Sequence, residues 1–328
     1  MNRKLLYIIL LIASWSCSKI DETADRLICL SAGIADLEVS TRAAVIGTPY
    51  RGSVPSESNQ LNAAVWFSTT PYDYDHSPEY PAYLPCRTTM TFKGESVTYA
   101  DYDDDPTDNK PAVSLKYPTI SNTPVYCIGM HPASGWSSDD GVKITHAITG
   151  SEDLMFADQI SGTWNSHLPK QQYSHLLTWV KINFCAMTME AARQWGGVTE
   201  ITISSKDGLE IDLSKETNKV SYTGNDIEIK TFESAAGVLP SLTSTEAGSL
   251  FCSPSTQYTV TIKTTNYPEG KVVPITLTDL DYQPLTSPSE AVGKLFIISL
   301  YFNPFNVLEG TCTLNYWNGQ NEDLYMKP

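Results

Sequence analysis

The chain has 328 residues, with 22 Lys and Arg against 37 Asp and Glu, and a formal net charge of −15. An acidic chain of this size repels nucleic acid and anionic lipid, so the charge excludes a protein that binds either through a basic surface. The length is enough for two domains, since a typical domain holds about 100–200 residues.

The N-terminus has the pattern of an exported protein. Two basic residues, Arg3 and Lys4, precede the apolar run Leu5–Ala13. This run is too short for a membrane-spanning helix, which needs about 20 residues. It predicts a secretory signal peptide over residues 1–16.

A cysteine, Cys17, follows this leader directly. The small residues before it resemble a bacterial lipoprotein processing site, and the acid-rich Cys17–Glu22 resembles a signal for the outer face of the outer membrane. We therefore expect Cys17 to be lipidated, with palmitate or a similar acyl chain, and the protein to be anchored at the cell outer membrane. The alternative is ordinary signal cleavage nearby, with no role for Cys17.

The stretch Leu27–Ala44 opens with an apolar run and ends in Thr41-Arg42-Ala43-Ala44. We expect the run to form the first strand of the fold, and the arginine to lie in the exposed loop that follows. The predicted strand consists of Leu27, Ile28, Cys29 and Leu30.

Short alternating runs between Gly and Pro turn signals predict β structure along the rest of the chain. In the first half, Ala63–Thr69 and Val125–Met130 are predicted strands, and Met90–Tyr99 is a predicted hairpin around Lys93-Gly94. Gln172–Phe184 alternates near its end, which predicts Val180, Ile182 and Phe184 on one face of a strand. The run Thr188–Trp195 is the best short helix, with Thr188 as its N-cap and Gly196-Gly197 as its stop. We place a domain boundary at this helix.

The second half restarts with strands. The predicted ones are Val198–Ile203, Leu209–Leu213, Lys294–Phe302 and Thr311–Trp317. The chain is thus predicted to be all-β, with two tandem β-sandwiches. We assign residues 17–42 to the N-terminal segment with the first strand, 43–194 to the N-terminal sandwich and 195–328 to the C-terminal one.

No motif for catalysis or cofactor binding is present, so we expect no enzyme, no catalytic residue and no cofactor. Asp101, Asp103 and Asp105 have the spacing of a calcium loop, but Pro106 replaces the turn glycine and Ala112 the bidentate Glu. A solvated loop is favoured over a weak calcium site, and no metal is expected.

Six cysteines follow Cys17, and none forms a CxxC pair. Four of them, Cys29, Cys127, Cys185 and Cys312, lie in apolar runs and are expected to be small buried core residues. Disulfide pairing stays open. His175 precedes an apolar strand and is expected to be a core or edge histidine with its hydrogen bonds made.

Tyrosines concentrate in the loops of the first half. They are Tyr72, Tyr74, Tyr80, Tyr83, Tyr99 and Tyr102. Aromatic loops of this kind suit contacts with glycan or protein.

Several motifs together resemble the fimbrillin family of bacterial pilins. One is the signal peptide with Cys17, a strand and Ser40-Thr41-Arg42-Ala43. Tyr126–Ser134 is similar to the family's strand that ends in a Pro-Ala-Ser turn, and Gly150–Ala157 to its Asp-Leu-Met-aromatic-Ala motif. Tyr173–Phe184 and the closing strand with Trp317 complete the series.

The resemblance implies two transthyretin-like sandwiches in an exported lipoprotein. It also implies that an arginine-specific protease cuts between Arg42 and Ala43, with Arg26 and Arg51 as competing sites. The displaced strand would be Leu27–Leu30, and a neighbouring pilin subunit would fill the groove with its C-terminal segment. The donor strand would come from within Thr311–Pro328, with Cys312, Leu314, Tyr316 and Leu324 as the inserting side chains.

Two functions follow as hypotheses. The first is a pilus (fimbria) subunit, structural or accessory, that assembles with other pilin subunits and serves adhesion. The second is a monomeric, lipid-anchored surface protein that binds glycan or a host protein. The mature N-terminus discriminates between them, because assembly by strand exchange predicts Ala43 at that position.

Overall fold

A computed structural model describes Ile28 and residues 30–34, 60–72, 87–93, 96–98, 117–118 and 122–315. Its first eight strands are β1 Ala32–Ile34, β2 Leu61–Ser68, β3 Arg87–Lys93, β4 Ser96–Thr98, β5 Val125–His131, β6 Lys143–Ala147, β7 Met155–Gly162 and β8 Gln171–His175. The next eight are β9 Thr178–Ala186, β10 Val198–Asp212, β11 Val220–Val238, β12 Thr245–Cys252, β13 Gln257–Thr264, β14 Lys271–Thr276, β15 Leu295–Phe302 and β16 Leu308–Asn315. The helix α1 is Met189–Trp195, and short 3-10 turns lie at Pro288–Ala291 and Pro304–Asn306. The all-β prediction is confirmed.

The first half forms a seven-stranded sheet in the order β1-β8-β7-β5-β2-β3-β4. Strand β1 pairs with β8 in parallel, whereas the other neighbours in this sheet are antiparallel. The predicted hairpin around Lys93-Gly94 is confirmed, because Phe92 of β3 lies opposite Val97 of β4.

Both faces of this sheet are buried, as β2 shows. Ala63, Val65 and Phe67 contribute to one core cluster, which also contains Ile28 and Leu30. The intervening Ala64 and Trp66 contribute to the larger cluster, which includes the core residues of the second half. Because successive side chains of a strand point to opposite faces, one strand serves two cores.

The second half forms two further sheets. One has five strands, in the order β11-β10-β13-β14 with β6 also pairing with β10, and the other has four, in the order β12-β9-β15-β16. The alternation predicted for Val180, Ile182 and Phe184 is confirmed, since all three are buried in β9. These side chains share one core cluster with residues from both sheets.

The predicted boundary at residues 194 and 195 does not coincide with a division between sheets. Strand β9 lies before it, yet pairs in parallel with β15 and antiparallel with β12. Strand β6 also lies before it and pairs with β10. Gly196-Gly197 ends the helix locally, and local turn chemistry carries no information about strand partners more than 100 residues away in the chain.

The predicted short helix and its cap are confirmed. The Thr188 hydroxyl accepts a hydrogen bond from the Ala191 amide at 3.0 Å, and Gly196 ends the helix with φ of 74°. Trp195 is buried at the other end, and its indole N–H donates to the carbonyl of Asn303 at 2.9 Å. The helix is thereby fixed against the turn that follows β15.

Two motifs that are separate in the sequence meet in the interior. Asp153 belongs to the Asp-Leu-Met-Phe-Ala motif, and His175 ends β8. The His175 Nδ1–H donates to Asp153 Oδ1 at 2.8 Å, and both side chains are buried. This pair is consistent with the prediction of a core or edge histidine, and its hydrogen bond compensates the burial of a carboxylate.

Candidate functional site: the edge strand, the closing strand and an aromatic cleft

Part of the predicted site lies outside the described residues. These residues are Cys17, Leu27, Cys29, Arg42, Ala43 and Tyr316, together with the acidic loop at 101–110 and the tyrosines at 74, 80, 83, 99 and 102. Tyr72 is described, and its backbone N–H donates to Gln159 Oε1 at 3.2 Å.

Strand β1 is a short edge strand at one end of the seven-stranded sheet. Ala32, Gly33 and Ile34 lie opposite Gln171, Gln172 and Tyr173 of β8. Just before β1, the Ser31 carbonyl accepts a hydrogen bond from the Gln171 amide at 2.8 Å. So few backbone bonds contribute little net stability, at roughly 1 kcal/mol each.

Buried side chains also hold the N-terminal segment against the seven-stranded sheet. Ile28 is 1% exposed and Leu30 is 3% exposed, and both belong to the core cluster on that face of the sheet. The predicted strand Leu27–Leu30 is therefore misplaced: its described members are buried, but the assigned strand lies at Ala32–Ile34. The apolar run in the sequence indicated which side chains are buried. The position of the strand could not be predicted in this way, because it depends on pairing with β8.

A buried polar cluster lies beside this edge. The Tyr173 hydroxyl donates to Gln171 Oε1 at 3.0 Å, and Gln171 Nε2 donates to Cys127 Sγ at 3.1 Å. Burial raises the pKa of the Cys127 thiol and of the Tyr173 hydroxyl well above their ordinary values, so both groups stay neutral. Gly129 leaves the space into which the Tyr173 hydroxyl fits. The wall beside the N-terminal segment therefore contains buried polar side chains that hydrogen-bond with one another.

Strand β16 closes the four-stranded sheet at the other end of the chain. All eight of its residues have partners in β15, from Leu308 opposite Phe302 to Asn315 opposite Leu295. Two of the predicted donor residues, Cys312 and Leu314, lie within this pairing, and Cys312 is buried. Burial raises the pKa of the Cys312 thiol to about 12.

The cysteine prediction holds in part. Cys127 and Cys312 are buried, as expected, whereas Cys185 is half-exposed. Cys252 is buried as well. These four cysteines, all within the described residues, are free thiols.

Sequence reasoning missed a surface cleft of about 210 Å³ at the start of β3. Its lining comprises Ala64, Trp66, Arg87, Thr88, Thr89, Ala133, Ser134 and Trp136. These residues come from three separate stretches of the chain, and no local pattern connects them. We call the cleft lined by these eight residues the aromatic cleft.

Metal-binding clusters and membrane-spanning helices are both absent from the described residues. Within that part of the chain, no group of three or more His, Cys, Asp or Glu side chains is placed to hold a metal ion. Over the same residues, no helix has the length and apolar character to cross a membrane.

The fold is similar to that of a candidate cell adhesion protein from Bacteroides uniformis. That likeness has a TM-score of 0.53 at 12% identity and covers 89% of this chain and 99% of the other. A candidate polysaccharide-binding protein from Bacteroides thetaiotaomicron matches with a TM-score of 0.47 at 9% identity, over 89% and 96%. A fimbrial protein from Bacteroides ovatus matches with a TM-score of 0.32 at 10% identity, over 77% and 46%. No protein-family model and no curated protein matches the chain. The first of these likenesses shows a shared fold.

Proposed function

We propose that the chain is a non-enzymatic surface subunit of a pilus, which assembles by strand exchange after cleavage between Arg42 and Ala43. The observation that carries this proposal is the attachment of the N-terminal segment: a three-residue edge strand whose flanking side chains fill the core. The adhesion protein that shares the fold, and the motifs that resemble fimbrillins, support a role at the cell surface.

Removal of residues 28–34 would leave a specific acceptor. It would expose the backbone of β8 along one edge and open the apolar positions that Ile28, Leu30 and Ala32 occupy. An unpaired strand edge above apolar pockets is a template for a strand from another chain. Backbone hydrogen bonds would give affinity, and the alternate side chains would set the register.

The donor has to come from a segment that its own subunit does not need. Cys312 and Leu314 are committed to β16, so their transfer would break a ladder of eight residue pairs. We therefore place the donor after Asn315, in residues 316–328, with Tyr316 and Leu324 as the inserting side chains. A contact in which each subunit both donates and accepts does not close, so it propagates as a fibre.

The lipid at Cys17 completes the proposal. It holds the uncut precursor at the outer membrane, and cleavage after Arg42 releases the assembled chain from that anchor. Assembly then depends on a protease outside the cell, which prevents polymerisation before export.

N-terminal sequencing of surface-extracted protein tests the proposal. We expect assembled protein to begin at Ala43 and to run as a heat-sensitive ladder on a denaturing gel. The variant Arg42→Ala should begin at Cys17 and form no ladder, whereas Arg26→Ala and Arg51→Ala should assemble normally. A normal ladder from Arg42→Ala, or a polymer that begins at Cys17, would contradict the proposal.

A second candidate function is supported by the aromatic cleft. A monomeric surface protein that binds glycan or a host protein needs a concave surface for its ligand, and the aromatic cleft offers one. This function does not require cleavage at Arg42, so a protein that stays monomeric and lipid-anchored would favour it.

A further inference from the structure

The aromatic cleft is bounded by two well-held walls. On one side, the guanidinium of Arg87 lies 4.2 Å from the centre of the Trp66 ring, a cation–π distance. Its Nη2 donates to the carbonyl of Ser138 at 3.2 Å, which ties the start of β3 to the turn after β5. The arginine is therefore positioned by contacts with both walls.

The opposite wall is the turn that carries Ala133, Ser134 and Trp136. The Trp136 indole N–H donates to the carbonyl of Pro132 at 2.8 Å, and the Trp136 ring packs 4.6 Å from the ring of His146. His146 Nε2 also lies 3.2 Å from the Ser134 carbonyl oxygen. A rigid wall of this kind reduces the ordering cost of binding a ligand.

Gly135 allows this turn to close onto His146. Its φ is 88°, and a Cβ at this position would clash with His146 Nε2. Because His146 lies in β6, which pairs with β10, the turn is supported by the five-stranded sheet. The cleft is thus built by the fold rather than by a loose surface loop.

The described lining residues differ in charge from the chain as a whole. The chain has a net charge of −15, whereas among the eight described residues that line the cleft Arg87 is charged and none is acidic. Arginine presents a planar fork of N–H donors that suits a carboxylate. The lining also holds three hydroxyl side chains, Thr88, Thr89 and Ser134, beside the Trp136 ring.

We propose that the aromatic cleft binds one acidic sugar unit of a glycan, with its carboxylate on Arg87 and its ring against Trp136. An aromatic face suits the C–H groups of a pyranose ring, and the hydroxyl side chains suit its hydroxyl groups. A volume of about 210 Å³ is below the range of about 300–1,000 Å³ for drug-sized ligands, and fits a single sugar ring. An acidic peptide side chain would supply the carboxylate but would leave the hydroxyl groups and the ring unused.

Binding of methyl β-D-glucuronide to the full chain in detergent tests this site. Methyl β-D-glucoside is the neutral probe, and an acetylated, amidated glutamate tests the peptide carboxylate. We expect the glucuronide to bind with a Kd of about 1 mM in a saturation-transfer NMR titration, and at least about tenfold more tightly than either other probe. The monomer suffices for this measurement, so its outcome is independent of strand exchange.

Single-residue variants test whether the glucuronide binds in the aromatic cleft. Arg87→Gln should weaken glucuronide binding by at least about tenfold, whereas Arg193→Gln, at an exposed position on α1, should leave it unchanged. Ala133→Leu fills the cleft without removing Arg87 and should also abolish binding, which keeps the test valid if Arg87→Gln disturbs Trp66. Thermal melting checks that each variant is folded.

Each of the following results would overturn the proposal. They are equal affinity for the glucuronide and the glucoside, tighter binding of the glutamate probe, and glucuronide binding that survives both Arg87→Gln and Ala133→Leu. Absence of glucuronide binding up to about 50 mM, far above the expected Kd, would also overturn it.

Discussion

Strands β1 and β16 are both edge strands near the ends of the described chain, but they are attached differently. Strand β1 has three residue pairs with β8 and depends on buried side chains that precede it, Ile28 and Leu30. Strand β16 has eight residue pairs with β15 and covers one edge of the four-stranded sheet. The first can be removed by breaking few backbone hydrogen bonds, and the second cannot.

In the strand exchange that we propose, this difference separates the segment that is removed from the segment that is donated. A removable segment has to leave a groove with defined pockets, which suits residues 28–34. A donor has to reach a neighbour without unfolding its own subunit, which excludes β16 and points to residues 316–328. The predictions that follow test whether the two ends differ in this way.

The largest effect is expected from truncation at the C-terminus. A chain that ends at Val307 loses β16 and exposes the edge of β15, so we expect it to lose most of a global stability of about 5–15 kcal/mol. A chain that ends at Asn315 should keep the melting temperature of the full chain but should not polymerise. Thermal melting followed by circular dichroism measures the stability lost by the chain that ends at Val307. An unchanged melting temperature for this chain would contradict the claim that β16 is attached more strongly than β1.

The next effect concerns the N-terminal segment. Leu30→Ala should cost about 2–4 kcal/mol, because Leu30 is 3% exposed in the core. We expect the segment to open locally, so that amide hydrogen exchange in β8 accelerates while exchange in β15 stays nearly unchanged. The control is Leu314→Ala in β16, which should not accelerate exchange in β8. Equal acceleration in both strands for Leu30→Ala would mean that β1 opens only with the whole protein.

A smaller effect is expected at the helix cap. Thr188→Ala removes the hydroxyl that accepts from the Ala191 amide and should cost about 1 kcal/mol. Thr188→Ser keeps this hydrogen bond and serves as the matched control. Because α1 packs against β9 and β15, urea unfolding should report the loss while exchange in β8 stays the same. Faster exchange in β8 would show that the helix supports the N-terminal groove.

The smallest effect is a pH dependence in the first sheet. Burial lowers the pKa of His131 from its ordinary value of 6.5, and the nearby His175 lowers it further. The Asn62 carbonyl, Asp153 and Glu152 raise this pKa, but their effects are smaller. The unfolded chain therefore binds this proton more readily, so the stability from the neutral ring is present above pH 6.5 and is lost as the pH falls below it.

Urea midpoints between about pH 7.5 and pH 5 measure this dependence. His131→Gln should flatten the curve below pH 6.5, whereas His167→Gln, at an exposed position, should not. Identical curves for the wild type and His131→Gln would assign the acid sensitivity to other groups.

Features encoded over a few neighbouring residues could be predicted from the sequence. The alternation of Val180, Ile182 and Phe184, the cap at Thr188 and the hairpin around Lys93-Gly94 all depend on local spacing. The burial of Ile28 and Leu30 was also predictable, because an apolar run after an exported leader has to pack somewhere.

Features set by distant partners could not be predicted. Strand β1 takes its register from β8, about 140 residues later, and β9 joins the four-stranded sheet through β15. The aromatic cleft joins Trp66, Arg87 and Trp136 from three stretches, and each of these residues is unremarkable in its own context. No short-range period encodes such pairings.

The proposed strand exchange requires that a neighbour's C-terminal segment replaces residues 28–34 beside β8. A photo-crosslinking amino acid at Gln172 distinguishes the two arrangements, because Gln172 is exposed and lies opposite Gly33. In the uncut precursor, the crosslink should join Gln172 to residues 28–34 of the same chain. In the polymer, mass spectrometry should instead find it on residues 316–328 of a second chain. A polymer whose crosslinks remain on residues 28–34, or fall on residues 308–315 of the neighbour, would contradict the account.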